Sequence, residues 1–109
     1  MKFKKLTKRV DRGVKLLDKK KPKWFKKIDL KNLDLNSESN CVLGQVYGSY
    51  TDGCDKLNLN FGIKHGFANP HDVKEPDFMK FCDKINAYND QLKKVWSKRV
   101  KQKREEAAC

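Results

Sequence analysis

The side chains that could carry acid–base, nucleophilic or metal chemistry are few and widely spaced. His65 and His71 are the only side chains that titrate near neutral pH, and five residues separate them. Cys54 precedes and Cys82 follows the two histidines, and both lie more than ten residues from the nearer one. No cysteine pair has the short spacing typical of zinc ligands. No glycine pattern matches a phosphate-binding loop or a dinucleotide site. The sequence therefore predicts a protein that is not an enzyme and that needs no metal or cofactor.

The residues suited to binding are lysines and arginines, which are concentrated at the two ends of the chain. Residues 1–27 hold thirteen of them against two acids, a net charge of +11, whereas residues 28–76 have −3 and residues 77–109 have +4. Such a field attracts polyanions, and a phosphate backbone that is neutralised releases its counterions. The predicted phosphate contacts are Lys2, Lys4, Lys5, Lys8, Arg9, Arg12, Lys98, Arg99, Lys101, Lys103 and Arg104.

Length and composition predict one small domain without a membrane span. The 109 residues are 38% apolar and 37% charged, and Trp24, Trp96 and six Phe supply more aromatic surface than disordered chains carry. No apolar run approaches the ~20 residues of a transmembrane helix. The basic start lacks the apolar segment of a signal peptide, so we expect a cytoplasmic protein with reduced cysteines. Cys41 and Cys82 are expected to pack as small apolar side chains.

The element pattern predicts a mainly α fold: a small single-domain helical body with a long C-terminal helix. Residues 1–109 form one domain, divided into a basic amphipathic N-terminal arm or helix over 1–21, a compact body over 22–75, and a C-terminal helix over 76–105 with a basic end. The first helix is indicated by its apolar spacing of 3, 4, 4 and 3, through Phe3, Leu6, Val10, Val14 and Leu17. Gly13 inside it predicts a close backbone contact or an early helix end.

The middle of the chain gives mixed signals. Pro22 suits the opening of a short helix over 23–28, in which Trp24 is either a core anchor or a base-stacking residue. A helix over 41–50 is expected after a cap at Ser39 or Asn40, with Gly44 and Gly48 forming a flat strip for another helix. Residues 57–63 alternate apolar and polar, which favours a short β element, a small hairpin or an irregular loop.

The last helix has the clearest pattern. Pro76 suits its first turn, and a heptad-like stripe follows at spacings of 3 and 4, through Phe78, Phe81, Ile85, Tyr88, Leu92 and Val95. The stripe predicts that the helix packs on the body through about Val95 and projects a cationic end beyond it. The same stripe could serve a dimer.

One stretch resembles a known group of proteins. Arg12–Asp18, Pro22 and Trp24 lead into the sequence Cys-Val-Leu-Gly-Gln-Val-Tyr-Gly at 41–48, and His65-Gly66-Phe67 closes the series. This order resembles small uncharacterised proteins encoded by bacteriophages and prophages of Gram-positive bacteria. The resemblance covers roughly residues 12–67 and implies a phage accessory protein in the host bacterial cytoplasm, but no particular activity.

Three functions follow as hypotheses. The leading one is nucleic-acid binding through the basic N- and C-terminal arms, with little sequence specificity. The second is binding to an acidic host protein surface, which would include inhibition of a host defence protein. The third is capture of a small anionic nucleotide ligand. Ligand or partner contacts in the last two cases would come from Trp24, Gly44, Gln45, Tyr47 and His65.

Overall fold

A computed structural model describes residues 4–68 and 76–108, and within these residues the chain is helical and forms no strand. The α-helices in the described residues are α1 (Lys4–Lys20), α2 (Val42–Tyr47), α3 (Tyr50–Leu57) and α4 (Phe78–Ala108). Short 3-10 helices at Trp24–Lys27 and Ile63–His65 lie in the connections. The predicted mainly α fold with a long C-terminal helix is confirmed.

Helix α1 belongs to the core. Its predicted apolar face is buried in the described residues, through Leu6, Val10, Val14 and Leu17. Burial of one such side chain contributes ~1.5–3 kcal/mol, so this face fixes the helix far more firmly than its exposed charges do. Of the arm or helix expected over 1–21, residues 4–20 form a helix, and its apolar face packs into the core. Phe3 lies outside the described residues.

Gly13 allows α1 to touch the second 3-10 helix. A Cβ at this position would overlap the carbonyl oxygen of His65 and would lie 3.0 Å from the indole ring of Trp96. Gly66 has φ +71°, which favours glycine, and a Cβ there would lie 2.8 Å from the backbone nitrogen of Val10. The predicted close backbone contact at Gly13 is confirmed, and α1 continues to Lys20.

The helix predicted over 41–50 is divided into α2 and α3. Cys41 caps α2, because its Sγ accepts a hydrogen bond from the backbone N–H of Gly44 at 3.3 Å. Gly48 adopts φ +101° and ends α2, and Ser49 then caps α3 by accepting from the N–H of Asp52 at 3.0 Å. The cap predicted at Ser39 or Asn40 is wrong. The chain must turn at Gly48, which a single straight helix does not allow.

The glycine strip predicted for helix packing is also corrected. Gly44 is buried, and a Cβ on it would lie 2.5 Å from the backbone of Glu38 and Ser39, so it packs against a loop. Gly48 is exposed and a Cβ there would meet no atom within 4 Å. Gly44 therefore serves a close backbone contact, while Gly48 serves a change of direction.

Residues 57–63 do not form the short β element. Leu57 ends α3, Asn58 takes a left-handed conformation with φ 58°, and Phe61 is 71% exposed. The hydroxyl of Tyr50 accepts a hydrogen bond from the N–H of Gly62 at 2.7 Å, which holds the segment as a turn. The alternation of apolar residues is misleading because a strand needs a neighbouring strand, and the described residues supply none.

Helix α4 docks through its second half. Its 31 residues correspond to about 46 Å, which matches the longest dimension of the molecule, 47 Å. The residues of α4 that are buried are Leu92, Val95, Trp96 and Val100, whereas Phe78 is 74% exposed. The prediction that packing stops near Val95 is wrong, because packing continues to Val100. The first turn, 78–80, and the last residues, 104–108, are exposed.

Candidate nucleic-acid interface

A row of cations runs along the outer side of α1. Its members are separated by 3, 4, 3 and 4 residues and are all exposed: Lys5, Lys8, Arg12, Lys15 and Lys19. With 3.6 residues per turn, this spacing places them on one side of the helix, opposite the buried apolar face. The row, called here the α1 face, is about 21 Å long at 1.5 Å per residue. It contains no acidic residue.

One end of the α1 face is extended by the second 3-10 helix. Arg12 Nη1 donates a hydrogen bond to the carbonyl oxygen of Lys64 at 3.1 Å, which brings the Lys64 side chain beside α1. A groove of about 510 Å³ results, and every residue that lines it is cationic: Lys5, Lys8, Arg9, Arg12 and Lys64. The close contact at Gly13 is what allows this loop to approach. A groove lined only by positively charged hydrogen-bond donors attracts anionic oxygens and repels cations.

A second row of cations lies on α4. Lys94, Lys98 and Lys101 are exposed, and their spacing of 4 and 3 residues places them on one side of the helix. Together with Lys93, Ser97 and one acid, Asp90, they line a groove of about 540 Å³. The three exposed lysines are called here the α4 face. Lys98 and Lys101 were predicted, whereas Lys94 was not.

A third group of lysines surrounds Pro22, between α1 and the first 3-10 helix. Lys20, Lys21, Lys23 and Lys27 line a groove of about 370 Å³ there. Lys21 Nζ also lies 5.8 Å from the centre of the Tyr47 ring, so part of this charge is held by a cation–π contact. This group adds positive charge near the end of α1.

Three of the predicted C-terminal cations are used inside the chain. Arg99 Nε donates to Asp11 Oδ1 at 2.7 Å, and Lys103 Nζ donates to Asp18 Oδ2 at 2.6 Å. Arg104 Nη2 donates to the carbonyl oxygens of Phe25, at 3.3 Å, and Ile28. These side chains join α4 to α1 and to the first 3-10 helix, so of the predicted C-terminal set only Lys98 and Lys101 form part of an outward row.

The predicted N-terminal cations are largely brought together. Lys5, Lys8 and Arg12 lie on the α1 face, and Arg9 is half-buried at its edge. Lys2 lies outside the described residues, and of Lys4 only its place at the start of α1 is described. Lys15 and Lys19 were missed, although their spacing from Arg12 would have identified them. Lys64 had no local signal, since only the fold brings it to α1.

The predicted ligand contacts lie outside the three cationic grooves. Trp24 is fully buried and donates from Nε1 to Asp18 at 2.9 Å, which confirms it as a core anchor. Gly44 is buried, and Gln45 is occupied by hydrogen bonds to the backbone of Asp29 and Asn40. None of these residues, nor Tyr47 or His65, lines any of the three cationic grooves.

His65 is held in an aromatic stack. Its ring stacks on Phe67, with centroids 6.2 Å apart, and Phe67 stacks on Trp96 at 5.4 Å. The Nδ1 atom is buried and has no hydrogen-bond partner among the described residues. Burial lowers the pKa of His65, and the positive charge of Arg12 lowers that pKa further. The imidazole is therefore kept neutral at neutral pH, so His65 adds no charge to the cationic groove.

The buried thiols, Cys41 and Cys54, behave as packing groups. Cys41 and Cys54 are buried, and burial raises the pKa of each thiol, which disfavours a reactive thiolate. Cys82 is half-buried on α4. In the part of the chain that the structure describes, no three His, Cys, Asp or Glu side chains are grouped as metal ligands would be. His71 lies outside that part.

Comparison of the chain with family models, with curated proteins and with solved structures returns no match. Across residues 4–68 and 76–108, no helix combines the length and the apolarity needed to cross a bilayer. The assignment of a function therefore depends on the charge and geometry of the chain itself.

Proposed function

We propose that this protein binds nucleic acid through its phosphates and acts without catalysis, as a phage-type accessory protein. The α1 face supports the proposal most strongly. Its five cations are exposed, lie in one row, and take part in no ion pair among the described residues. The two acids within residues 1–27, Asp11 and Asp18, are paired with cations of α4 and leave the charge of the row intact.

The row also has the geometry that a polyanion requires. Five cations over about 21 Å amount to one every ~5 Å, and duplex DNA carries one negative charge per ~1.7 Å of axis. A duplex that lies along α1 thus always presents phosphates within reach of each side chain. Lysines and arginines in a row contact the backbone and read no base edges, so binding is independent of sequence.

The test is binding of a fluorescent 20-base-pair duplex, measured by anisotropy at low salt. The variant Lys5→Gln, Lys8→Gln, Lys15→Gln removes three charges from the α1 face, and none of these side chains holds the fold together. We expect it to bind at least tenfold more weakly than the wild type, because each lysine that contacts a phosphate contributes to affinity. Each lost contact also lowers the slope of log association constant against log salt concentration by about one unit.

The matched control is Lys26→Gln, Lys31→Gln, Lys56→Gln, which also changes the net charge from +12 to +9 and replaces exposed lysines outside both faces. It should bind within about threefold of the wild type, since distant charges are screened beyond ~10 Å. Equal loss of affinity in the two variants would show that only net charge matters, and the α1 face would then have no special role.

An acidic protein surface is the second candidate partner. Phe78 and Met79 favour it, because these two adjacent apolar side chains are 74% and 70% exposed at the start of α4, and a contiguous exposed apolar patch can mark a protein contact. Capture of partners from a bacterial lysate treated with nuclease separates the two functions. Proteins retained after nuclease treatment would support this candidate, and their loss would support nucleic acid.

A further inference from the structure

We propose that one molecule holds two nucleic-acid segments at the same time, one on the α1 face and one on the α4 face, and so bridges them. This inference depends on the proposed function, because it requires each face to bind phosphates. It adds an activity that a single binding surface does not have. The argument comes from the direction in which each face points and from the ion pairs between them.

The two faces are separated by a neutralised seam. Asp11 pairs with Arg99 and Asp18 pairs with Lys103, so the line where α1 meets α4 carries balanced charge. The earlier residue of α1 pairs with the earlier residue of α4, and the later with the later. Positive potential is therefore concentrated on the outer sides of the two helices and is interrupted where they meet.

The α4 face points away from α1. Arg99 and Lys103 are directed at α1, and each residue of an α-helix is turned by about 100° from the one before it. Lys101, two residues from each of them, is thus turned by about 160°, and Lys94, nine residues before Lys103, by about 180°. Lys98 lies about 100° from Arg99. All three project from the side of α4 that is opposite or transverse to the seam.

The α1 face points in a different direction. Relative to Asp11 and Asp18, which are directed at α4, its central residue Arg12 is turned by about 100–120°, and Lys19 by about 80–100°. The row is therefore roughly perpendicular to the line that joins the two helices. The α1 and α4 faces meet at a convex corner, each on its own side of the molecule.

A straight duplex that lies on the α1 face does not cover Lys94 and Lys101, which project from the far side of α4. Duplex DNA is stiff over a persistence length of about 150 base pairs, and sharp bending over a few base pairs has a large energetic cost. The described part of the chain has short dimensions of 27 and 23 Å, so a bend around the corner would have to occur within that distance. Occupation of both faces therefore requires two duplex segments.

The experiment measures capture of one duplex by another. A biotinylated duplex is fixed on beads, a dye-labelled duplex of different sequence is added, and bead fluorescence is recorded against protein concentration. We expect capture of the labelled duplex to rise with protein concentration and then to fall. At excess protein, each duplex is saturated by its own protein molecules, and few molecules hold both duplexes. Light scattering on the same sample measures the oligomeric state, and we expect a monomer.

The deciding variant is Lys94→Gln, Lys98→Gln, Lys101→Gln, which leaves the α1 face intact. It should lose at least nine-tenths of the capture, and the number of duplexes bound per protein should fall from two to one, because only the α1 face then remains. The variant Lys26→Gln, Lys31→Gln, Lys56→Gln should bridge like the wild type. Full capture by the α4 variant, or capture explained by a dimer, would overturn the bridging proposal while the proposed function stands. Absence of any duplex binding by the wild type would remove both.

Discussion

Arg99 and Asp11 are 88 residues apart in sequence, yet Nε of the first lies 2.7 Å from Oδ1 of the second across the contact between α1 and α4. A residue expected to reach for phosphate is instead bound to a carboxylate of the first helix. The pair joins the two most basic parts of the chain and keeps their charges from repelling one another directly. It also marks the line that separates the two outward cationic faces.

The stabilisation from this ion pair can be measured with a double-mutant cycle of Asp11→Asn and Arg99→Gln. The side chain of Asp11 is 47% exposed and that of Arg99 23%, so solvent screens the attraction. We expect a coupling of ~0.5–1 kcal/mol in the free energy of unfolding, measured with urea. The cycle with Lys98→Gln in place of Arg99→Gln should give no coupling, because Lys98 projects away from α1. Equal couplings in both cycles would contradict the pairing.

Gly13→Ala should destabilise the fold by ~2 kcal/mol or more. A Cβ at this position overlaps the His65 carbonyl oxygen and presses on Trp96, and neither backbone nor a buried indole can move aside freely. Thermal or urea unfolding gives the value. Lys15→Ala, on the exposed side of the same helix, should change stability by no more than ~0.5 kcal/mol. A Gly13→Ala protein as stable as the wild type would mean that α1 does not contact the second 3-10 helix in this way.

Trp96→Phe should lower the free energy of unfolding by ~1–3 kcal/mol in addition to the effect of the packing that is lost. The indole is fully buried, and its Nε1 donates to the carbonyl oxygen of Gly66 at 2.6 Å. Phenylalanine cannot donate, so that buried carbonyl loses its partner. Tyr47→Phe serves as the control for removal of one polar group from a half-buried ring and should be nearly neutral. If both changes had equally small effects, the Trp96–Gly66 hydrogen bond would not contribute to stability.

The stability of the fold should fall as the pH drops below about 6.5. Burial and Arg12 lower the pKa of His65 in the folded state, so the unfolded chain binds the proton more readily. The contribution of His65 to the free energy of unfolding is fully present above the pKa that His65 has in the unfolded chain. It is lost as the pH falls through that pKa towards the lower pKa of the folded state. Urea unfolding between pH 5 and 8 should show this slope, His65→Gln should reduce it, and His71→Gln should leave it. A slope that disappears with His71→Gln would assign it to the other histidine.

The sequence predicts the helices that have a strong period. The buried residues of α1 and the second half of the α4 stripe repeat every 3 or 4 positions, and such a face can be read without knowledge of the rest of the chain. Residues 57–63 show why a local pattern fails. Their alternation fits a strand, but Asn58 in a left-handed conformation and the hydrogen bond from Gly62 to Tyr50 make a turn.

The nucleic-acid interface could be predicted only where its residues lie close together in sequence. Lys5, Lys8 and Arg12 could be identified from composition, since they lie together on one helix. The fate of Arg99, Lys103 and Arg104 depends on partners 76 to 88 residues away, and no local pattern shows such pairing. The position of Lys64 beside α1 depends on the Gly13 contact and is equally hidden. Long-range packing thus decides which cations remain available.

The salt dependence of duplex binding tests the central claim most directly. With a fluorescent 20-base-pair duplex and KCl from 50 to 300 mM, a plot of log association constant against log salt should fall with a slope of about −4.5, which corresponds to five phosphates neutralised by the α1 face. A slope steeper than this would add contacts from neighbouring cations. A slope near zero, or no binding at the lowest salt, would contradict the assignment of the α1 face as a phosphate-binding surface.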